Sequence, residues 1–442
     1  MMRNTTKKRN IIFTVITIML IGVMVVVAGC GEKNNSDPQG NKSKPSKLNM
    51  MGMRFGAMEV ISKNMTEAGK QEDIDVSVKL TGWDDLENQS KVILSAGGNS
   101  PYEILHAYNG WLPEYIEKDW VLPLTEYYIK YKDKYELGDI PKELIDVVSK
   151  DGEIYAIPFQ QNVQHLFYRN DLFEKYNLQP PKTFDDMFAV LDTLKKKGDT
   201  QYQFALALGG ASGVATEFNN ALLAYGGEWF DENGNPLFNS KEGVEAVKFL
   251  KKLLPYMPKE VLSYSNNDVS VALQQGNVAM ANLWTTRCAE VEDKTVSRYT
   301  GKFGYAAPPS STEGGIPFTN WTQDMFIIPK NVGTNPDYVF QIIAKTLSKE
   351  NIEEIAPLTM VGRKSVADNP EIQKKCPNYK AAMETIDNGA KAYPLLPYMG
   401  PERLIVGQYV SEALAGKTSP EEALEKAEQD VIKDMKDKGY LK

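Results

Sequence analysis

Short apolar stretches alternate with amphipathic helical stretches through much of the chain, and this pattern predicts layers of helices on a sheet. Leu48 to Met51 and Asp75 to Leu80 are predicted strands, the second with alternating apolar positions. Trp83 to Ala96 places apolar side chains on one helical face and precedes two glycines, which predicts a helix and its end. Glu103 to Ala107 is a third predicted strand. The fold class expected from this order is α/β.

Later segments carry helix start signals. Thr183-Phe-Asp-Asp186 has the residues of a capping box, and Gly198 marks the predicted end of that helix. Ser240 is predicted to cap a second helix. Ser419-Pro-Glu-Glu422 combines a capping serine, a proline at the first helical position and a reaching glutamate. We therefore expect helices to begin directly after residues 183, 240 and 419.

The N-terminal segment has the order of a bacterial secretory leader. Basic residues without any acid precede the uncharged, mostly apolar run Ile11 to Ala28. The run ends in Val27-Ala28-Gly29-Cys30, which resembles the bacterial lipobox, where the cysteine thiol receives a diacylglycerol. This resemblance implies that residues 1–29 are a lipoprotein signal peptide and that Cys30 is the lipidated N-terminus. An uncleaved transmembrane anchor is the alternative, and either one places the remaining chain outside the cytoplasm.

Residues 30–46 are rich in Asn, Ser, Lys, Pro and Gly. Such a segment buries too little apolar surface to fold by itself. We therefore predict a flexible tether between the lipid anchor on the membrane and the folded part of the chain.

Length and charge narrow the class of protein. The chain has 442 residues, and the part that follows the leader is too long for one ordinary core, which suggests two lobes. The net charge is −8, and loss of the leader, which carries basic residues only, makes the mature chain more acidic. Nucleic-acid binding calls for a basic patch, so a nucleic-acid partner is not expected.

Cysteine, histidine and motif usage argue against most kinds of chemistry. Cys288 and Cys376 have no metal-site spacing, and we expect two buried thiols, with one disulfide as the alternative. His106 and His165 are the only histidines, and each is expected to be packed or solvent-facing rather than to bind a ligand. No zinc, triad, P-loop or dinucleotide motif occurs. We therefore expect no cofactor and no metal site, although a paired-carboxylate enzyme stays open.

One segment imitates a calcium-binding loop. Asp231, Asn233, Asn235 and Glu242 have a spacing similar to that of an EF-hand, but Pro236 takes the position that requires glycine. A hairpin with the tip at residues 233–234 is the preferred interpretation.

Four stretches carry further motifs. They are Tyr155-Ala-Ile-Pro-Phe with Leu166-Phe-Tyr-Arg-Asn-Asp-Leu-Phe173, Pro180-Pro-Lys-Thr-Phe-Asp-Asp186, Ala272-Leu-Gln-Gln-Gly-Asn-Val-Ala-Met280 with Trp284, and Leu414-Ala-Gly-Lys-Thr-Ser-Pro-Glu-Glu-Ala-Leu424. In order and spacing they resemble family 1 of the bacterial extracellular solute-binding proteins, which includes maltose-binding protein. In that family the first stretch is a strand, a turn and a second strand that cross between two lobes.

The resemblance implies a two-lobed, periplasmic-binding-protein-like fold with a ligand cleft between the lobes. Lobe I would comprise residues 47–158 plus 309–350, and lobe II residues 159–308 plus 351–442. The implied function is capture of a small neutral solute, a mono- or oligosaccharide, and its delivery by hinge closure to the permease subunits of an ABC importer. A monomer without enzymatic activity is expected.

A sugar presents apolar C–H faces and a ring of hydroxyl groups, so its site needs aromatic platforms and planar polar partners. Trp284, Trp321 and Arg363 take positions that lie near the cleft in the family, and Trp83 follows a predicted strand. Core packing is the alternative for each tryptophan. The full set of candidate ligand-binding residues is Trp83, Tyr108, Asn109, Gln160, Gln161, Asn162, Trp229, Trp284, Trp321, Asp324 and Arg363.

Other functions stay open at this point. The same fold could bind a polyol, a peptide or an anion, although an anion site would need an arginine cluster or a helix N-terminus. An extracellular carbohydrate-active enzyme would need two carboxylates across a cleft. A surface lipoprotein that acts as an adhesin or a sensor partner is the third alternative.

Overall fold

The computed structural model describes residues 43–442. The predicted signal peptide, the predicted lipidation site Cys30 and the first part of the predicted tether, up to residue 42, lie outside the described residues. Within 43–442, no helix has the length and apolar character needed to cross a membrane.

The strands and helices alternate along the chain as the sequence predicts. The strands are β1 (Lys47–Met53), β2 (Asp75–Thr81), β3 (Ile104–Tyr108), β4 (Ser149–Lys150), β5 (Glu153–Ile154), β6 (Ile157–Arg169), β7 (Tyr202–Ala205), β8 (Val278–Trp284), β9 (Phe303–Ala306), β10 (Trp321–Ile327) and β11 (Met360–Val361). The α-helices are α1 (Gly56–Lys70), α2 (Trp83–Ser95), α3 (Leu112–Glu117), α4 (Thr125–Tyr131), α5 (Lys142–Val147), α6 (Asn170–Tyr176), α7 (Phe184–Lys197), α8 (Gly210–Ala224), α9 (Lys241–Leu253), α10 (Asn266–Gln274), α11 (Cys288–Val291), α12 (Pro336–Thr346), α13 (Lys349–Ile355), α14 (Lys364–Ala367), α15 (Pro370–Gln373), α16 (Tyr379–Asp387), α17 (Met399–Leu414) and α18 (Pro420–Asp437). Short 3-10 helices occupy Leu137–Asp139, Leu254–Tyr256, Val261–Ser263 and Thr285–Arg287.

The predicted helix starts are confirmed. Thr183 accepts a hydrogen bond from the backbone N–H of Asp186, whose side chain completes the capping box, and Gly198 ends α7 in the left-handed conformation. Ser240 accepts a hydrogen bond from the N–H of Gly243 and so caps α9. Ser419 accepts a hydrogen bond from the N–H of Glu422 and is followed by proline at the start of α18. These bonds satisfy N–H groups that the first helical turn leaves without partners. The Glu422 side chain accepts hydrogen bonds from Thr418 and Lys426 and does not reach back to Ser419, so that part of the prediction is wrong.

The main sheet has the strand order β2-β1-β3-β10-β6-β8-β7. β1 pairs in parallel with β2 and β3, and β7 pairs in parallel with β8. β10 runs antiparallel to β3 and β6, and β6 runs antiparallel to β8. β9 and β11 add antiparallel pairs to β6. The sheet therefore has two parallel parts that are joined through antiparallel strands.

One strand crosses between the two parts of the sheet. The first half of β6 pairs with β10 from residue 157 to residue 163, and the second half pairs with β8 from residue 164 to residue 168. The expected turn within this stretch is wrong, because β6 is one continuous strand of 13 residues. The expected second strand is also cut short, since α6 begins at Asn170.

Separate cores surround the two parts of the sheet. Successive residues of the first part, such as Met50 and Met51, face different clusters, because side chains alternate between the two faces of a strand. In the second part, Leu166 and Phe167 divide in the same way. Each part is therefore a sheet with apolar cover on both faces, and the molecule has the expected two-lobed α/β fold.

The predicted lobe boundaries stay a prediction. Apolar side chains between residues 352 and 372 pack in the cluster that also contains Leu48 and Phe159. Phe318 packs with the cluster that contains Leu166. This packing favours a division in which the chain passes from one lobe to the other at later residues than the predicted boundaries.

Three sequence predictions concern buried polar groups and the hairpin. Cys288 and Cys376 are buried free thiols, as expected. His165 is fully buried, so of the two expected environments it has the packed one. Asp231 Oδ1 accepts hydrogen bonds from the N–H groups of Asn233 and Asn235, which closes the predicted tight loop on itself.

Candidate functional site

A cavity of about 240 Å³ lies between the two parts of the sheet. β1, β2 and β3 are parallel, so their carboxyl ends meet at one edge of the sheet, near Met53 and Tyr108. β10 runs in the opposite direction and places Asp324 beside Tyr108 at the same edge. In the second lobe, β8 ends at Trp284, which pairs with Gln164 of the crossing strand. The cavity is therefore lined by strand ends from both lobes.

Six of the predicted ligand-binding residues line this cavity. They are Trp83, Tyr108, Gln160, Asn162, Trp284 and Asp324. They come from β2-α2, β3, β6, β8 and β10, so the topology brings together side chains that are more than two hundred residues apart in the chain.

Aromatic side chains form the first-lobe wall. Trp83 lies with its ring centroid 4.6 Å from Trp111 and 4.9 Å from Tyr108. Tyr108 and Trp111 meet edge to face with a centroid distance of 4.8 Å. Trp83 is half-buried while Trp111 is fully buried. The buried rings therefore support Trp83, and its remaining surface is available to the cavity.

Asp324 has a partner on each carboxylate oxygen. Its Oδ1 atom lies 2.9 Å from Nε2 of His106, and its Oδ2 atom accepts a hydrogen bond of 2.6 Å from Nε2 of Gln160. A carboxylate oxygen can accept two hydrogen bonds. Asp324 is therefore held in one orientation and keeps acceptor capacity towards the cavity.

A second acid, Glu217 of α8, lines the cavity from the second lobe. Its oxygens accept hydrogen bonds of 3.0 Å from Gln164 and 3.1 Å from Asn220. Burial raises the pKa of Glu217 from 4.5 to about 8, although the two amide donors act in the opposite direction. At neutral pH the side chain is thus a neutral carboxylic acid, which can donate as well as accept a hydrogen bond.

Arg403 of α17 is a buried cation at the cavity wall. It donates a hydrogen bond of 3.1 Å to Oγ of Ser212. Its other terminal nitrogen lies 3.7 Å from Glu87 Oε2, and this pair joins α17 of the second lobe to α2 of the first. Arg287, also at the cavity, contacts Glu290 at 2.9 Å. Both guanidinium groups therefore have an acidic partner.

Several amide groups of the cavity lack a hydrogen-bond partner for their carbonyl oxygen. These oxygens belong to Gln160, Asn162, Asn266 and Asn320. A buried acceptor without a donor costs about 1–3 kcal/mol. The cavity is therefore complementary to a molecule that supplies several O–H or N–H donors.

Three predicted residues lie beside the cavity without lining it. Asn109 accepts a hydrogen bond of 3.2 Å from the backbone N–H of Gln323. Trp321 donates a hydrogen bond of 3.2 Å from its indole nitrogen to the side chain of Gln161. These contacts connect β3, β6 and β10 to one another, so the three residues support the wall of the site.

Trp229 and Arg363 lie in packed regions elsewhere. Trp229 is 1% exposed and donates a hydrogen bond of 2.9 Å to Asn219 within the second-lobe core. Arg363 is 2% exposed and donates to the backbone carbonyls of residues 135, 136 and 347. Neither side chain reaches the cavity, because each is already engaged with its own lobe.

Sequence reasoning missed several lining residues. Gln164 carried a usable signal, because it continues the alternation of Gln160 and Asn162 on one face of a strand. Glu217 and Arg403 carried none, since each is one polar residue within a helix pattern. Further lining residues not predicted are Met53, Phe55, Asp84, Ser212, Thr216, Tyr264, Asn266, Thr286, Arg287, Asn320, Thr322 and Tyr393.

A two-lobed α/β fold with a polar and aromatic cavity between the lobes is the architecture of a solute-binding protein. The model of the bacterial extracellular solute-binding protein family matches residues 57–345, and this chain belongs to that family.

Individual relatives are distant. The mannitol-binding protein of Pseudomonas aeruginosa is 26% identical over 74% of this chain and 78% of its own length. A protein of Sinorhizobium fredii named as a probable amino-acid ABC transporter periplasmic-binding protein is 22% identical over 88% of this chain and 89% of its own length.

Solved structures confirm the fold. An ABC transporter solute-binding protein of Agrobacterium radiobacter in complex with ribitol has a TM-score of 0.79 at 22% identity, over 88% of this chain and 100% of that one. One from Agrobacterium vitis with bound D-mannitol has a TM-score of 0.78 at 23% identity, over 90% of this chain and 100% of that one. Maltose-bound MalE3 of T. maritima has a TM-score of 0.77 at 23% identity, over 87% of this chain and 98% of that one.

Proposed function

We propose that this protein captures a neutral, hydroxyl-rich solute outside the cell, a sugar or a sugar alcohol, and delivers it to an ABC importer. The observation that carries the proposal is the set of partnerless amide oxygens at Gln160, Asn162, Asn266 and Asn320. Hydroxyl groups of a sugar or polyol would supply the missing donors. Trp83 and Trp284, from opposite lobes, would cover its C–H faces.

The charges at the site favour a neutral ligand. Arg403 lies 3.7 Å from Glu87 and Arg287 lies 2.9 Å from Glu290, so an acidic side chain lowers the positive charge that each would present to an anion. Asp324 would repel an anionic group and would instead accept hydrogen bonds from hydroxyl groups of a neutral ligand. The mannitol, ribitol and maltose named for the relatives are all neutral and rich in hydroxyl groups.

Closure of the two lobes around the ligand is part of the proposal. The lining residues come from both lobes, and the ion pair between Arg403 and Glu87 would form only when the lobes meet. A ligand that contacts both walls would shift the population towards the closed form. We further propose that the protein is a monomeric lipoprotein attached through Cys30, and that it performs no catalysis.

The test is a thermal-shift and tryptophan-fluorescence panel with D-mannitol, ribitol, maltose, amino acids and simple anions. A true ligand at a hundredfold excess over Kd should stabilise the protein by about 2.7 kcal/mol. The D324N variant is the control and should respond only at higher ligand concentrations than the wild type. Stabilisation by an amino acid or an anion, with no response to any sugar or polyol, would overturn the assignment of the ligand class.

Two further assays address the remaining parts of the proposal. Labelled oligosaccharide incubated with the protein should be recovered unchanged, and cleavage products would support a carbohydrate-active enzyme instead. In cells grown with labelled palmitate, the wild-type protein should take up the label and the C30S variant should not. Equal labelling of C30S, or no labelling of the wild type, would refute the lipid anchor at Cys30.

A further inference from the structure

His106 lies directly behind the cavity wall. It is 1% exposed on β3, and its ring packs among Phe55, Phe159 and Phe326 with centroid distances of 6.1, 5.6 and 6.5 Å. The ring is therefore enclosed by apolar side chains on several sides. Its two nitrogens are the only ring atoms that can form hydrogen bonds.

The backbone determines which nitrogen carries the proton. The N–H of Met53, at the end of β1, donates a hydrogen bond of 3.2 Å to Nδ1 of His106. Because an N–H group can donate only to a nitrogen without a proton, the single ring proton is on Nε2. This proton points at Asp324 Oδ1, which is 2.9 Å away.

We propose that His106 is a positioning residue, which orients Asp324 so that the carboxylate accepts hydrogen bonds from hydroxyl groups of the ligand. The inference rests on the proposed function of the cavity. His106 and Gln160 each contact one oxygen of the carboxylate, and Asp324 itself lines the cavity. The chain of contacts runs from a backbone N–H of β1 through the imidazole of β3 to the carboxylate of β10, so three strands determine the position of one acceptor.

The ring contact can be measured without any ligand. The chain has two histidines, so ¹⁵N-histidine labelling gives only two pairs of ring-nitrogen signals, one pair for each imidazole. At pH 7 we expect His106 to carry its proton on Nε2. His165 should show the opposite tautomer, because its Nδ1 lies 3.2 Å from the carbonyl oxygen of Leu283, which can only accept. Burial lowers the pKa of His165 to about 4, so this ring is neutral and serves as the reference.

The D324N variant links the signal to Asp324. The Nε2 proton of His106 should shift in this variant, while the His165 signals stay in place. A proton on Nδ1 of His106, an imidazolium spectrum, or an unchanged His106 signal in D324N would overturn the proposed contact. This result does not depend on knowing the ligand.

The binding test uses D-mannitol, ribitol and maltose as probes with three variants. H106L removes the donor and should weaken binding at least about tenfold, which corresponds to one lost charge-assisted hydrogen bond. H106Q retains an N–H group at the Nε2 position and should restore affinity to within about threefold of the wild type. In the D324N background, H106L should cause no further loss, because the two residues act as one unit.

The outcomes separate the two proposals. Equal loss in H106Q and H106L, or additive losses with D324N, would show that His106 only packs and would overturn the positioning role. If none of the probes binds the wild-type protein, the proposed ligand class fails. In that case the tautomer measurement still decides whether His106 orients Asp324.

Discussion

Glu217 is a side chain whose protonation should make this protein's stability depend on pH. It is 1% exposed, and its oxygens receive hydrogen bonds from Gln164 and Asn220. Neither amide carries a charge, so neither can compensate a buried anion in full. Burial raises the pKa of Glu217 from 4.5 to about 8. We expect the E217Q variant, which cannot ionise, to lose a large part of the pH dependence.

The sign follows from proton linkage. Between pH 4.5 and pH 8 the carboxyl group is ionised in the unfolded chain and still protonated in the folded protein. The folded state then binds more protons than the unfolded state, so the free energy of unfolding falls as the pH rises. A pKa difference of about 3.5 corresponds to about 5 kcal/mol at 1.36 kcal/mol per unit, lost across this range.

Urea unfolding of the wild type and E217Q at pH 5, 6.5 and 8 measures this effect. The absolute stabilities will differ, because glutamine has one acceptor where the acid has two, but the difference should change in favour of E217Q as the pH rises. Glu402 provides a matched control, since its pKa is also raised to about 8, by burial and by Asp434, and it lies outside the cavity. E402Q should lose its own pH term without altering ligand affinity. Parallel pH profiles for E217Q and the wild type would refute the reasoning.

Three other perturbations separate ligand contacts from structural ones. W284A should weaken ligand binding about tenfold or more and change stability by less than about 1 kcal/mol, whereas W229A should cost about 3–5 kcal/mol of stability because Trp229 is fully packed. Calorimetric titration measures the first effect and urea unfolding the second. If W229A weakens binding and W284A lowers stability instead, the two tryptophans have the opposite roles. R363M should lower stability by about 3 kcal/mol, because one buried and two partly buried carbonyls lose their donor, and binding by the refolded variant should be unchanged. Burial raises the pKa of Cys288 to about 12 and of Cys376 to about 11. Both thiols should therefore resist a thiol reagent at pH 8 in the native protein and react in denaturant. Rapid labelling of the native protein would contradict the buried thiol environment.

Local signals along the chain were sufficient for the helix starts at residues 183, 240 and 419 and for the first three strands. Thr183 and Ser419 cap helices as predicted, since a cap needs only a hydrogen bond to a residue three positions away. The strand at Asp75 begins as predicted as well. These features depend on neighbours in sequence, which is why sequence patterns reveal them.

The crossing strand β6 was predicted only in part from the sequence. The resemblance implied a turn between residues 159 and 166, but β6 continues through it because it pairs with β10 first and with β8 afterwards. Once the strand is known to be continuous, alternation places Gln160, Asn162 and Gln164 on one face and Gln161 on the other. The residue types were visible in the sequence, while their common direction required the pairing.

The sequence alone thus determined the α/β class and the helix caps, because these depend on composition and on short-range periodicity, while the resemblance to the family supplied Trp284 and Trp321 as candidates near the cleft. Only the tertiary structure decided that Trp83 and Trp284 share a cavity while Trp229 is packed in a core. It also brought Glu217 and Arg403 to the cavity and His106 behind Asp324. The physical reason is that a binding site forms where strand ends and helices that are distant in sequence meet. The residues next to a single polar residue in a helix do not indicate whether its side chain will face a cavity, the core or solvent.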